Sequence, residues 1–274
     1  MVPSLVATSE TAASLESPSF ATLDRIFSRF APDGKFESYK RNANYSVAII
    51  VPYRDRESHL RTFLYNIIPF LENQEASYTI FIVEQIANQT FNKGLLTNVG
   101  FLYAERSAEK FSCFIFHDVD LLPEDDRNIY RCGKQPRHFA AGINKFNYKL
   151  PYEGYVGGVI GLTGYQYRKV NGYSNAYWGW GGEDDDINYR IGRAGFTVSR
   201  YRDPVCRYTM IKHEADLGNE VNPCRYKLLE DWRKRMYTDG VNSAVYKLVL
   251  VEKLAFFTKL MVDALPEVNK KKYC

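Results

Sequence analysis

The chain has 274 residues, 25% of them charged, and a formal net charge of only +4. Its length and apolar content suffice for one large domain or two small ones, and the weak charge with no dense basic stripe argues against nucleic acid as a partner. No stretch reaches the apolar length of a membrane span, and residues 1–20 lack the apolar core of a signal peptide. The opening MVPSLVATSETAASLESPSF is small and polar and reads as a disordered stem, with residues 1–45 as low-complexity stem and lead-in. Residues 46–52, SVAIIVP, make an apolar run of strand length, and Leu60, Phe63, Leu64 and Ile67 behind them form a helical stripe. YTIFIVEQ (78–85) reads as a second strand, Leu95, Val99 and Leu102 mark a second helix, and FSCFIFHDVD (111–120) reads as a third strand. This alternation predicts an α/β fold with a mostly parallel central sheet, which binds ligands outside the carboxyl ends of its strands. VPYRDR, the residues after VEQ, and HDVD fall at that edge. Residues 202–224 read as loops and 264–274 as a basic tail.

Asp118-Val-Asp120 sets two carboxylates on one side of an extended segment. Alone the pair suits a turn cap; at the ligand edge it suits a divalent ion that bridges two phosphates. Met210 and His213, in TMIKH, read as core packing with a surface histidine, or as a thioether and an imidazole that complete a shell with Asp120. That mixed donor set favours manganese over magnesium. Arg54 and Arg56 follow the first strand, where plain solubility competes with anion and ribose contacts. Phe91 and Lys93 hold the equivalent place after the second strand, where a ring can stack on a base.

WGWGGEDDDINYR (178–190) carries four consecutive acids. Glu183 to Asp186 suit a helix N-terminus, where the macrodipole favours anions, and Asp186 can pair with Arg190 one turn on. That leaves Trp178, Trp180 and glycines 179, 181 and 182 unexplained. Exposed rings on a flexible backbone suit sugar or base stacking, and a carboxylate beside them can act as a base. The sequons at Asn44 and Asn88 are compatible with a secretory route. The five cysteines show no metal-ligand spacing and leave one over.

VPYRDRESHL, FNKGLLTNVGF, CFIFHDVDLLP, YRCGKQPRH, LPYEGYVGGV, NGYSNAYWGWGGEDDDINYR, MIKH and DGVNS run in this order from about residue 46 to about 263. Together they resemble the β-1,4-galactosyltransferase family, and within it the members that extend N-acetylglucosamine. The resemblance implies a GT-A type nucleotide-sugar-binding catalytic domain over residues 46–263. It implies UDP-galactose as donor, N-acetylglucosamine-terminated glycans as acceptors, and Mn2+ held by Asp120, Met210 and His213. On the donor side it marks Pro52, Tyr53, Arg54, Arg56, Phe91, Lys93, Val119, Asp120, Lys145, Tyr155, Trp180 and His213. On the acceptor side it marks Gly182, Glu183, Asp184, Asp185, Arg225, Tyr226 and Leu229, with Asp184 as catalytic base and Trp180 as a mobile cover. Glycines 179, 181 and 182 would let that cover swing. Cys113 and Cys132 match a family disulfide, which implies an oxidising lumen. Golgi residence follows from the family, with membrane association only through an anchor missing from this chain.

Some positions depart from the family pattern. Lys93 stands in place of arginine, and Tyr53 and Tyr226 stand in place of phenylalanine. Cys206 and Cys224 match no family cysteine. The implied reaction is attack of an acceptor O4 on the galactose anomeric carbon, with a base, a metal for the diphosphate and exclusion of water. An ordinary aspartate carboxyl, with a pKa near ~4, is ionised at pH 7 and suits the base. One rival is a β-1,4-N-acetylgalactosaminyltransferase, from which Tyr155 separates the chain because that group carries an aliphatic residue there. A catalytically inactive carbohydrate-binding module would need a broken metal shell or a missing base. A metal-dependent phosphohydrolase would need more acids and histidines at strand ends than the four histidines here allow.

Overall fold

The computed structural model describes residues 13–27, 45–74, 77–212 and 218–270. Helix α1 (Phe20–Phe27) buries Leu23 and Phe27, so part of the stretch read as lead-in contributes to the core. Then come β1 (Ser46–Tyr53), α2 (Glu57–Glu72), β2 (Ser77–Gln85), α3 (Lys93–Arg106) and β3 (Cys113–His117), in the alternation expected. β4 (Leu121–Pro123), β5 (Arg137–His138), β6 (Gly142–Ile143), β7 (Val159–Leu162), α4 (Gly164–Lys169) and α5 (Glu183–Arg193) follow. The rest comprises β8 (Ser199–Arg200), β9 (Arg207–Met210), α6 (Arg225–Glu230), α7 (Trp232–Arg235), β10 (Lys247–Lys253), β11 (Thr258–Asp263) and α8 (Pro266–Asn269). No helix among the described residues is long and apolar enough to cross a membrane.

An eight-stranded sheet runs β10-β11-β2-β1-β3-β7-β5-β8. Its centre, from β11 to β3, is parallel, while β7 and β10 run antiparallel to their inner neighbours. Side chains alternate along β1. Val47, Ile49 and Val51 pack with α2 on one face, and Ala48 and Ile50 pack with α3 on the other. Helix α3 is buried nearly all round rather than on one stripe, because Asn98 Nδ2 also bonds Tyr173 O (2.7 Å) and Asn175 Oδ1 (2.8 Å) on its outer side. Gly100 brings this helix close to the sheet: a Cβ there would lie 2.5 Å from Ile50 Cγ2 and 2.9 Å from Val83 Cγ2.

Cys113, at the head of β3, is joined to Cys132, with 5.3 Å between the Cα atoms. Cys206 is a buried free thiol and Cys224 is disulfide-bonded, so these two do not pair with each other. The stretch 202–224, expected as loop, contains β9, which closes a small sheet β4-β9-β6. Tyr208 anchors it: the side chain is fully buried and its hydroxyl lies 2.8 Å from that of Tyr130.

Candidate active site

The carboxyl edge of the parallel strands gathers the residues singled out in the sequence. Pro52 and Tyr53 end β1 and are buried. The Tyr53 hydroxyl accepts the Arg56 N–H at 3.2 Å, and burial pushes its pKa up to about 12. Arg54 lies 5.1 Å over the Phe91 ring and donates to Gln89 O. Phe91 is itself a backbone junction, with its N–H on Gly218 O (2.8 Å) and its carbonyl on the Gly179 N–H (2.7 Å). The ring expected to stack on a base therefore already carries a guanidinium on one face.

Strand β3 stops at His117, three residues before the expected end, and Asp118 to Asp120 form a turn closed by Leu121 N–H on Asp118 O at 3.3 Å. The alternation argument for the two aspartates fails with the strand. Asp118 reaches Lys93 at 3.0 Å, whereas Asp120 reaches Arg56 at 3.7 Å. Val119 between them is buried.

Lys93 opens α3, whose N-cap Asn92 accepts the Leu95 N–H at 2.9 Å. Its ammonium sits among three carboxylates: Asp118 at 3.0 Å, Asp184 at 3.2 Å and Glu183 at 3.5 Å. Burial alone would lower the Lys93 pKa, but the three acids outweigh it and hold the value well above the ordinary one. Burial, helped by the Asp184 charge, pushes Glu183 up to about 7. Burial pushes Asp118 up to about 6 against the pull of Lys93. One cation among three acids is an incompletely neutralised cluster, which is how sites that move protons are built.

Glu183, Asp184 and Asp185 form the first turn of α5, as the helix reading expects, with Gly182 at its N-cap at φ 97°. Gly179 and Gly181 also hold positive φ, at 84° and 104°. Between them Trp180 is 60% exposed, and its backbone pairs with Glu220 O (2.8 Å) and the Asn222 N–H (3.0 Å). The tryptophan segment is thus stitched to residues 220–222 at the end of the loop that follows β9.

The wall opposite is LPYEGYVGGV. Tyr152 donates to Asp185 Oδ1 at 2.6 Å, and Tyr155 stacks edge-on against Tyr152, Phe146 and His138. Gly157 leaves room between the two walls, since a Cβ there would fall 2.8 Å from both Asp184 Oδ2 and the Tyr155 hydroxyl. On the acceptor side, Arg225 packs behind Gly181 and Gly182 and lies 4.6 Å over the Tyr226 ring, while Leu229 joins Ala176, Tyr177 and Leu228.

The chemistry of the donor set fits manganese as far as it is described. Leu121 pairs with Met210 across the β4–β9 ladder, and the Ile211 N–H bonds Asp120 O at 2.8 Å, so Asp120 and Met210 are neighbours. His213 lies outside the described residues. Lys145 is exposed on the turn 144–146, beside this strand, where Asn144 Oδ1 accepts the Met210 N–H at 2.9 Å.

The family model described as the N-terminal region of glycosyl transferase group 7 matches residues 2–133, and the one described as the N-terminal domain of galactosyltransferase matches residues 137–214. A crystal structure of the catalytic domain of Drosophila beta-1,4-galactosyltransferase 7, in complex with xylobiose, is 30% identical with a TM-score of 0.69, over 80% of this chain and 94% of that one. The chain belongs to the β-1,4-galactosyltransferase family. Human beta-1,4-galactosyltransferase 2 is 47% identical over 218 residues, 80% of this chain and 59% of the relative. Human beta-1,4-galactosyltransferase 3 is 45% identical over 247 residues, 90% of this chain and 63% of the relative. The chain therefore spans about three fifths of the length of these curated relatives. A mutant of the Drosophila enzyme was crystallised with manganese, UDP-Gal and xylobiose, and it gives a TM-score of 0.68 at 29% identity.

The GT-A type fold expected for a β-1,4-galactosyltransferase is the one observed. Its site brings Lys93, Glu183 and Asp184 into one cluster, and Asp120 beside Met210. Tyr152 and Gly157 are not among the residues that the sequence singles out, and Asp118 is there only as a partner of Asp120 in an ion site, not as a partner of Lys93. Asp118 was visible as the first acid of D-x-D, but its contact with Lys93 depends on where β3 ends. Nothing in the sequence separates the Tyr152 hydroxyl from the other tyrosines until the fold sets it against Asp185.

Proposed function

We propose that this chain transfers galactose from UDP-galactose, with inversion, to O4 of a terminal β-N-acetylglucosamine on a glycoprotein or glycolipid glycan. The observation that supports this best is the Asp184 carboxylate on the first turn of α5, at the carboxyl edge of the sheet, with Lys93 at 3.2 Å. In this reading Asp184 takes the proton of the attacking hydroxyl, while Glu183 and Asp185 hold neighbouring acceptor hydroxyls. Lys93 keeps its ammonium among the acids, and Trp180 covers the sugars and excludes water. Asp120, Met210 and His213 would hold Mn2+, which when bound neutralises the departing diphosphate. Arg54, Arg56 and Lys145 supply cations on the donor side. We assign the chain to the Golgi lumen, an assignment supported by the Cys113–Cys132 disulfide, which needs an oxidising compartment.

The test is incubation with manganese, N-acetylglucosamine acceptors and either UDP-galactose or UDP-N-acetylgalactosamine, with the products weighed by mass spectrometry. Wild type is expected to prefer UDP-galactose. Tyr155→Leu is expected to gain N-acetylgalactosamine transfer, because the ring and hydroxyl that fill the space beside Gly157 are removed. Wild-type preference for UDP-N-acetylgalactosamine would replace the donor assignment while leaving the fold and base in place.

Metal dependence gives a separate check. Manganese is expected to support more activity than magnesium, because a thioether adds little to a hard ion that demands oxygen ligands. His213→Ala should weaken metal and donor binding together in equilibrium titrations. Unchanged manganese dependence in that variant would remove His213 from the shell.

A further inference from the structure

We propose that the groove between α5 and α7 binds an acidic sugar unit of the acceptor glycan, internal to the residue that receives galactose. This rests on the galactosyltransferase reading above. The groove has a volume of about 770 Å³, and its lining includes Asn188, Tyr189, Arg193, Arg200, Trp232 and Arg233.

Position is the first argument. Asp185, Tyr189 and Arg193 lie at i, i+4 and i+8 on α5, so one stripe of the helix runs from the acceptor-side acids into the groove. Eight residues of helix rise ~12 Å, roughly the length of two hexose units. The two walls are continuous as well. Tyr152 holds Asp185 at 2.6 Å, and the next residues, Glu153 and Gly154, line the groove.

The second argument is the floor. Tyr189 and Trp232 lie with ring centroids 5.5 Å apart and planes 33° apart, and Tyr189 is 44% exposed. A paired aromatic surface of this kind fits the C–H face of a pyranose, as exposed rings fit apolar faces generally.

Charge decides the class of sugar. The Arg200 guanidinium donates to Glu153 O at 3.2 Å and Tyr155 O at 3.0 Å, and the Glu153 carboxylate opposes its charge. Arg233 lies 5.6 Å over the Trp232 ring. Among the described residues no acid pairs with Arg193 or Arg233. Two guanidiniums beside an aromatic floor are set to take a carboxylate or sulfate in forked geometry. Helix α5 is moreover acidic in its first turn and carries the exposed Arg193 in its last. An acceptor with a neutral terminal sugar and an anionic inner sugar would be oriented by that gradient, with its neutral end at Asp184.

The experiment compares N-acetylglucosamine β-linked to galactose, to galactose 6-sulfate and to glucuronate, at low salt. Both acidic acceptors, or one of them, should show a KM about tenfold below the neutral one, as one or two charged hydrogen bonds allow, with kcat little changed. The difference should shrink as salt is raised. Arg193→Ala combined with Arg233→Ala should erase it while leaving kcat/KM for free N-acetylglucosamine unchanged, since both side chains are exposed and remote from the base. Equal KM values for all three acceptors, or a preference that survives the double variant, would overturn the proposal. Calorimetry with the same disaccharides needs no turnover. Tighter binding of an acidic disaccharide, lost in the double variant, would sustain the groove even if no galactose were transferred, and only the galactosyltransferase reading would then fall.

Discussion

Asp184→Asn is expected to lower turnover by roughly 10²–10⁴-fold, the usual contribution of a general base, while leaving the fold and donor binding intact. The change is nearly isosteric, so the first turn of α5 keeps its shape. It also removes one of three carboxylates around a single lysine, and Glu183 and Asp118 are both held above their ordinary pKa values partly by the Asp184 charge. Neutralising it relieves that repulsion. The alternative base is Glu183, whose side chain is 12% exposed against 21% for Asp184. Burial pushes the Glu183 pKa up to about 7, a value that does not by itself disfavour a base, so position decides: Asp184 is the more exposed carboxylate and faces the space beside Gly157. Glu183→Gln should therefore cost less turnover than Asp184→Asn. Single-turnover rates with saturating UDP-galactose decide between them, and near-normal rates for Asp184→Asn would move the role to Glu183.

How much could be read from the sequence follows from the range of the forces involved. β1, β2 and α2 show as local apolar periodicity, and the observed bounds of the two strands differ from the expected ones by one residue. The end of β3 does not, because Phe116, His117 and Asp118 extend the same apolar-to-acid run, and only the turn at Asp118 with its tertiary partner Lys93 stops it. β9 was missed for a related reason. RYTM is short and carries an arginine, and its strand geometry comes from pairing with β4 and from buried Tyr208 rather than from its own pattern. In WGWGGEDDD the rings and glycines stand out from a plain helix start, but the burial of its last acid does not show. Asp186 reads as a helix opener that can pair with Arg190 one turn on, and that i,i+4 pair does form, with both side chains completely buried. The difference lies fifty residues away, where Arg235 and Asp239 return to cover them.

That buried network carries the largest stability effect expected in the chain. The Asp186 carboxylate takes Arg190 Nε, one Arg235 nitrogen at 3.0 Å and the Tyr177 hydroxyl at 3.0 Å. Asp239 completes the charge balance, 2.6 Å from Arg235 and 2.8 Å from the Asn175 N–H, while Arg235 also donates to Leu228 O at 2.6 Å. Two arginines and two aspartates neutralise one another out of water and tie α5 to α6 and α7. Removing one carboxylate leaves a guanidinium buried without compensation, a loss of about 3–5 kcal/mol where such pairs have been broken. Asp186→Ala should therefore shift the urea midpoint strongly downward. Glu57→Ala removes the pair with Arg61 in which Glu57 is 65% exposed, and it should change stability by less than about 1 kcal/mol. A midpoint for Asp186→Ala close to that of Glu57→Ala would show that Arg190 and Arg235 regain water or other partners once the carboxylate is lost. A large shift would mean that the fourth acid of the run holds the helix that carries the other three, and turnover per folded molecule, measured well below the unfolding midpoint, should then fall far less than stability does.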